Sequence, residues 1–177
     1  MIIGITGKKQ HGKDTLARML IENKVTSRQY ARIGFADPLR KIGEVLGFTN
    51  QQMQLDKNKI HPLWARSWRK AAQMIGTDLF REQFDIEVWT KLAYQTICSH
   101  PNISFVFTDV RYDNEAEFIK KQGGIVFKIV RSDMPDKDNH KSEHGIDDKY
   151  VEEIICNFGT LNQLEKQVKY LAKKYEI

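Results

Sequence analysis

Cysteine is scarce in this chain, and the two present, Cys98 and Cys156, stand far apart with no C-x-x-C spacing. That excludes a disulfide framework and a zinc ribbon, and leaves two reduced, half-buried thiols in a cytoplasmic protein as the expectation. No apolar run approaches the roughly 20 residues of a membrane span, so no membrane partner is expected. The opening "MIIGITG" is too short and uncharged for a signal peptide and reads as a strand that begins at once. Repeats, low-complexity tracts and linkers are missing too. There is no basic tail or stripe either, although the formal net charge is +5. The charge calls for an anionic partner, and its even spread favours small phosphates over nucleic acid.

What is present is the make-up of an ordinary globular domain: 177 residues, 41% hydrophobic and 29% charged, enough for a real core. Residues 2–6, "IIGIT", read as a strand, followed by a glycine loop and a helix with Leu16, Ala17, Leu20 and Ile21 on its apolar face. In "FADPLRKIGEVLG", Asp37 suits an N-cap and Pro38 the first helical position. Leu39, Ile42, Val45 and Leu46 share a face, and Gly47 stops the helix. Residues 48–62 read as a polar loop or a short irregular helix.

"LWARSWRKAAQMIG" predicts a helix with two faces. Trp64, Trp68, Ala71 and Ile75 form the apolar one, and Arg66, Arg69, Lys70 and Gln73 the cationic one. Both tryptophans are expected in the core, with stacking on a base as the alternative. Another helix is expected from Asp85 to Ile97. "ISFVFTD" is a buried-strand signal. Residues 113–122 are helical and closed by Gly123 and Gly124; "IVFKIV" and "EIIC" are strands. Leu161, Leu164, Val168, Leu171 and Tyr175 mark a last helix. Alternating strands and helices predict an α/β fold whose parallel sheet is covered on both faces.

"GKKQHGKDT", Gly7 to Thr15, carries the chemistry. It fits the phosphate-loop pattern G-x-x-x-x-G-K-[ST] up to its last position. Glycines let backbone N–H groups curl around an anion. The helix that follows adds partial positive charge at its N-terminus. The departure is Asp14, where a hydroxyl is usual. Either it ligates Mg²⁺, directly or through water, or it only serves the helix N-terminus and Thr15 meets the phosphate. Both readings stay open.

Asp109 ends a buried strand, and Arg111 follows two residues on. Ligands bind beyond the carboxyl ends of parallel strands, so Asp109 is a candidate for a metal's water shell and Arg111 for a phosphate. A helix cap and a surface arginine are the plainer alternatives. The Arg66, Arg69 and Gln73 face is a candidate for a second phosphate and a base, against a merely solvated basic face. "HKSEH", 140–144, has the H-x-x-E-H spacing of one metalloprotease class but no third ligand, and a loop closing over phosphates fits it better. Lys137, Lys141 and, at the base of that loop, Arg131 are candidates to reach a transferring group.

Taken in order, "GKKQHGKDT", "FADPLRK", "RKAAQMIGTDLFR", "VFTDVRYDNEAEFI" and "NFGTLNQLEKQV" resemble segments of phage-type deoxynucleoside monophosphate kinases. The resemblance covers nearly the whole chain and includes the Gly-Lys-Asp-Thr ending of the loop. "SEHGID" is also similar to a loop of animal phosphomevalonate kinases, and dephospho-coenzyme A kinases share the layout with serine in place of Asp14.

The resemblance implies a P-loop NTPase three-layer fold over 1–177, with a helical monophosphate-binding insertion at about 36–98 and a lid-like loop at 131–148. It implies Mg²⁺ and ATP as donor, a deoxynucleoside 5′-monophosphate (dNMP) as acceptor, and it allows a homodimer. By position, Gly7, Lys8, Lys9, Gln10, His11, Gly12, Lys13, Asp14 and Thr15 would hold the ATP phosphates. Asn157 and Gly159 would lie near the adenine. Phe35, Asp37, Arg66, Arg69, Gln73, Thr77, Asp78 and Arg81 would surround the monophosphate. Lys13, Arg69, Arg111 and Arg131 would serve the transfer itself, and Asp14 and Asp109 the metal.

Overall fold

Short β-branched and aromatic runs become the strands of the main sheet, and helices follow those at Ile2–Thr6, Tyr30–Ile33, Ser104–Phe107 and Glu153–Cys156. The computed structural model describes residues 1–22, 27–131 and 145–177. They form two compact units, Met1–Gly34 with Gln95–Ile177, and Phe35–Tyr94. The first unit opens with β1 (Ile2–Thr6), α1 (Lys13–Glu22) and β2 (Tyr30–Ile33). The second contains α2 (Asp37–Val45), α3 (Asn50–Gln54), the two-residue strands β3 (Ile60–His61) and β4 (Arg66–Ser67), α4 (Trp68–Gln73) and a π-helical continuation, Met74–Phe84. Helix α5 (Val88–Cys98) crosses the boundary. The first unit resumes with β5 (Ser104–Phe107), α6 (Asp113–Lys121), β6 (Ile125–Val130), β7 (Glu153–Cys156) and α7 (Leu161–Tyr175).

The sheet runs β2-β5-β1-β6-β7, every neighbouring pair parallel. Alternation along β1 assigns its two faces. Ile3 and Ile5 join Val106, Phe127, Ile129 and Ile155 in a core closed by Leu16, Ala17 and Leu20 of α1 and Leu164, Val168 and Leu171 of α7. On the other face, a Cβ at Gly4 would lie 2.6 Å from Ile119 of α6 and 3.1 Å from Val110. A glycine there is what lets α6 approach. The result is the three-layer α/β sandwich expected. Each fully buried aliphatic side chain is worth about 1.5–3 kcal/mol, so this double-sided core is the main source of stability for the sheet unit.

Helix α7 is also tied at its far end. Glu153 of β7 accepts from the Lys174 ammonium and from the Tyr175 hydroxyl at 3.1 Å. The hydrogen bond from Lys174 holds the Glu153 carboxyl below its ordinary value. A carboxyl with a lowered folded-state pKa stabilises above its unfolded pKa, about 4.3, and loses that contribution as pH falls through the folded value. Glu153→Gln should therefore lower the melting temperature at neutral pH. The gap from wild type should close as the pH is brought below about 4, as thermal melts across pH 3–7 would show.

Five expectations are corrected. The helix expected from Trp64 begins at Trp68, because Ala65 has φ 48° and Ser67 caps the helix by accepting from the Lys70 amide. Trp64 is 44% exposed and donates through Nε1 to the Leu46 carbonyl, whereas Trp68 is core. Val45, expected on the buried face of α2, is 87% exposed. Ala36, not Asp37, is the N-cap of α2, and the Asp37 carboxylate pairs with Arg40 one turn on. Both thiols are free and exposed rather than half-buried. Among the described residues, no helix is long and apolar enough to cross a membrane.

Candidate active site

The phosphate-loop segment folds as a tight cradle at the carboxyl end of β1. Gly7 has φ +142°, Gln10 φ +66° and Gly12 φ +102°, the alternation that turns backbone N–H groups inward as an anion nest. The glycines are sterically required: a Cβ at Gly7 would lie 2.4 Å from the Ile129 carbonyl oxygen, and one at Gly12 2.6 Å from Nδ2 of Asn157. Lys13 opens α1, and its ammonium donates to the Gly7 carbonyl at 2.6 Å and the Lys8 carbonyl at 2.7 Å. The cation therefore lies across the loop it belongs to.

His11 is buried (6% exposed), and its side chain serves the scaffold of the loop. Its Nδ1 lies 3.3 Å from the Arg131 amide nitrogen, which donates to it, and 3.4 Å from the Ile129 carbonyl oxygen. Asn157 braces the same turn by donating through Nδ2 to the His11 carbonyl at 3.0 Å. One residue thus links the loop, the end of β6 and the β7–α7 connection.

Against the cradle lies an open cleft of about 460 Å³. Gln10, Gly12, Lys13, Asp14, Thr15, Arg131, Asn157, Gly159 and Leu161 line it. Eight of these nine are sequence candidates, drawn from three separate stretches of the chain, and Leu161 supplies an apolar wall. A smaller cavity of about 120 Å³ beside the loop is lined by Gly7, Lys8 and His11 together with Arg111 and Lys128. Here too the chain brings cations to a glycine turn, the chemistry of a phosphate site.

The two acids are placed differently. Asp14 is exposed and its Oδ1 lies 3.0 Å from Nη2 of Arg32. Asp109 follows Thr108 just beyond β5, the neighbour of β1 in the sheet. Among the described residues, no three His, Cys, Asp or Glu side chains converge as a metal group. Asp14 lines the cleft, and a single carboxylate suits Mg²⁺, which keeps several waters and takes one or two protein oxygens. The "HKSEH" segment, Lys137 and Lys141 lie outside the described residues.

The remaining candidates sit in the Phe35–Tyr94 unit. Phe35 is buried (2% exposed), as are Thr77 and Arg81 on the π-helical segment, and Asp78 is exposed. The i to i+5 bonding, closed by the Asp85 amide on the Phe80 carbonyl at 2.8 Å, is a widened helix of the kind often found at functional sites. Arg69 donates through Nε to Asn58 Oδ1 at 2.9 Å and Gln73 ends α4. Arg66 lies on β4, not on the helix, and donates to the Met74 sulfur, so the four-residue cationic face loses its first member.

Two residues escaped the sequence reading. Arg32 carries the partner of Asp14. Glu115, 2% exposed, accepts from the amides of Arg111 at 2.7 Å and Tyr112 at 3.2 Å, fixing the turn that presents Arg111. A glutamate placed just inside a helix start is the signal that would have found the second.

Comparisons with known proteins bear on the family of this chain. The deoxynucleotide monophosphate kinase family model matches residues 40–168. That stretch begins after the phosphate loop, so the loop and the family match are separate observations. A protein of Acanthamoeba polyphaga mimivirus, provisionally named a deoxynucleotide monophosphate kinase, is 31% identical over 95% of this chain and 94% of its own. The deoxynucleoside-5′-monophosphate kinase of Escherichia phage T5 is 29% identical over 68% of this chain and 52% of its own. This chain therefore aligns with about half of that protein. Among solved structures, a shikimate kinase from Bacteroides thetaiotaomicron superposes over 100% of this chain and 99% of its own, with TM-score 0.53 and 14% identity. That likeness is one of fold, a parallel sheet covered by helices on both faces. With the matched stretch spanning most of the sequence, the chain belongs to the deoxynucleotide monophosphate kinase family.

Proposed function

We propose that this chain transfers the γ-phosphoryl group of ATP to the α-phosphate oxygen of a deoxynucleoside 5′-monophosphate, giving the diphosphate and ADP. The observation that carries the reading is the cleft in which Gly12, Lys13 and Thr15 face Arg131 and Asn157, in a chain of this family. The cradle fits a nucleotide polyphosphate because its positive-φ residues turn backbone amides inward, a shape fixed by glycines whose added Cβ would strike Ile129 or Asn157.

The acceptor oxygen is already ionised at neutral pH, so no strong general base is needed. The protein's task is to align two anions and offset their charge. The amides of Gly7–Thr15 and the Lys13 ammonium grip the donor phosphates. Asn157 and Gly159, which line the cleft, are the candidates to meet the adenine. Arg111 and Arg131 are the cations for the charge shared in transfer. Arg69 and Arg81, with Phe35, Asp37, Arg66, Gln73, Thr77 and Asp78, form the acceptor group. Mg²⁺ bound with the nucleotide would supply further neutralisation, with Asp14 and Asp109 as the carboxylates to hold it, directly or through water.

A coupled ADP-release assay across dNMPs, ribonucleoside monophosphates, phosphomevalonate and dephospho-coenzyme A tests the assignment. Turnover confined to dNMPs supports it. Turnover only with either of the last two would replace it with another small-molecule kinase. The Arg69 role is tested separately. Arg69→Ala should raise the KM for dNMP about tenfold or more, the worth of a charge-assisted bond, with much less effect on the KM for ATP. Equal effects would remove Arg69 from the acceptor site.

A further inference from the structure

Asp14 places a negative charge directly beside Lys13, where phosphate loops ordinarily carry a hydroxyl. Both side chains line the same cleft. A carboxylate there opposes the binding of a polyphosphate unless something offsets it. The structure contains an offset. Nη2 of Arg32 lies 3.0 Å from Asp14 Oδ1, and Nε of the same guanidinium donates to the Thr108 hydroxyl at 3.2 Å. Thr108 is 3% exposed, and its amide lies 3.4 Å from the Ile33 carbonyl.

An exposed ion pair on two unanchored side chains is worth little, because both must be ordered to form it. Here the planar guanidinium is anchored at one corner to a buried hydroxyl, which leaves less freedom to lose. Arg32 stands on edge strand β2, where it pairs in register with Val106 of β5. Its reach to Asp14 therefore runs from the strand ends toward the loop.

We propose that Arg32 is a positioning residue of the donor half-site: it neutralises Asp14 and holds that carboxylate toward the ends of β2 and β5, so that Lys13 and the loop amides meet the polyphosphate without a net opposing charge. The proposal rests on reading the loop as a nucleotide-phosphate site. It carries a distinctive sign. Removing the cation leaves the acid uncompensated and weakens polyphosphate binding; removing the acid as well restores it. A merely structural role for Arg32 in the edge strand would not be rescued by a change at Asp14.

The test is ADP affinity by calorimetry in EDTA, where no divalent cation screens the charges, with circular dichroism melts confirming that each variant is folded. Arg32→Gln should weaken ADP binding about five- to tenfold, the scale of one nearby uncompensated charge on a multiply charged ligand. Arg32→Lys should keep most of the affinity. The double variant Arg32→Gln with Asp14→Asn should return to within about twofold of wild type. Wild-type affinity in Arg32→Gln, or a double variant as weak as Arg32→Gln alone, overturns the proposal. Failure of the wild-type protein to bind ADP would instead overturn the donor-site reading, and this inference with it.

Discussion

Replacing Lys13 by alanine should abolish phosphoryl transfer and leave the chain folded. The two halves of that expectation have separate causes. Lys13 is partly exposed at the start of α1, outside the core formed by Leu16, Ala17 and Leu20. Its ammonium donates to two loop carbonyls, and alanine is the best helix former. The fold should therefore survive, with a melting temperature within a few degrees of wild type. Catalysis should not survive. The ammonium is the cation that lies across the glycine cradle, and charge neutralisation is the protein's main contribution to this class of reaction. Loss of one preorganised donor at a developing charge costs on the order of 10²–10³-fold in rate. Loss of a full positive charge should be at least as severe. ADP release measured at saturating nucleotide, beside a thermal melt, gives both results. Near-normal turnover would sink the phosphate-loop reading, and a collapsed melt would make Lys13 a structural residue.

Much of this site could be read before the structure, for a physical reason. A phosphate cradle is local: glycines at fixed spacing, a lysine, a preceding strand and a following helix, all within Ile2–Glu22. Periodicity likewise located β5, β6, β7 and α7, because their apolar positions are dictated by the faces they bury. What could not be read is what depends on contacts through space. The short edge strand β2, "YARI", has no fully buried residue and gave no apolar run to notice. The helix at Trp68 starts late because of one left-handed residue, Ala65, and hydrophobic spacing is blind to backbone sign. Arg32 and Thr108 are 76 residues apart in sequence, so no motif joins them. The same holds for Asn157 and His11, 146 residues apart. Position suggested that Asn157 lies near the nucleotide; only the fold shows that it also braces the loop.

Gly7 offers the second large effect, and Gly123 its control. Gly7→Ala should destabilise the chain by about 2–5 kcal/mol, combining an overpacked contact with an unfavourable backbone region. Both costs are visible. Gly7 has φ +142°, and its Cβ would meet the Ile129 carbonyl oxygen at 2.4 Å. That oxygen belongs to β6, the strand paired with β1, so it cannot move aside without disturbing the centre of the sheet. Gly123 has a positive φ as well, +71°, but nothing lies within 4 Å of its added Cβ. Gly123→Ala should therefore cost only the conformational part, about 1–2 kcal/mol, and leave turnover unchanged. Denaturant unfolding of the two variants beside wild type separates strain from collision. If Gly7→Ala proved no more destabilising than Gly123→Ala, the loop would have room that the structure denies it. The claim that its shape is set by β6 would then fail. Where Gly7→Ala still folds, nucleotide binding should be lost as well, because a loop pushed off Ile129 can no longer hold its amides around one point.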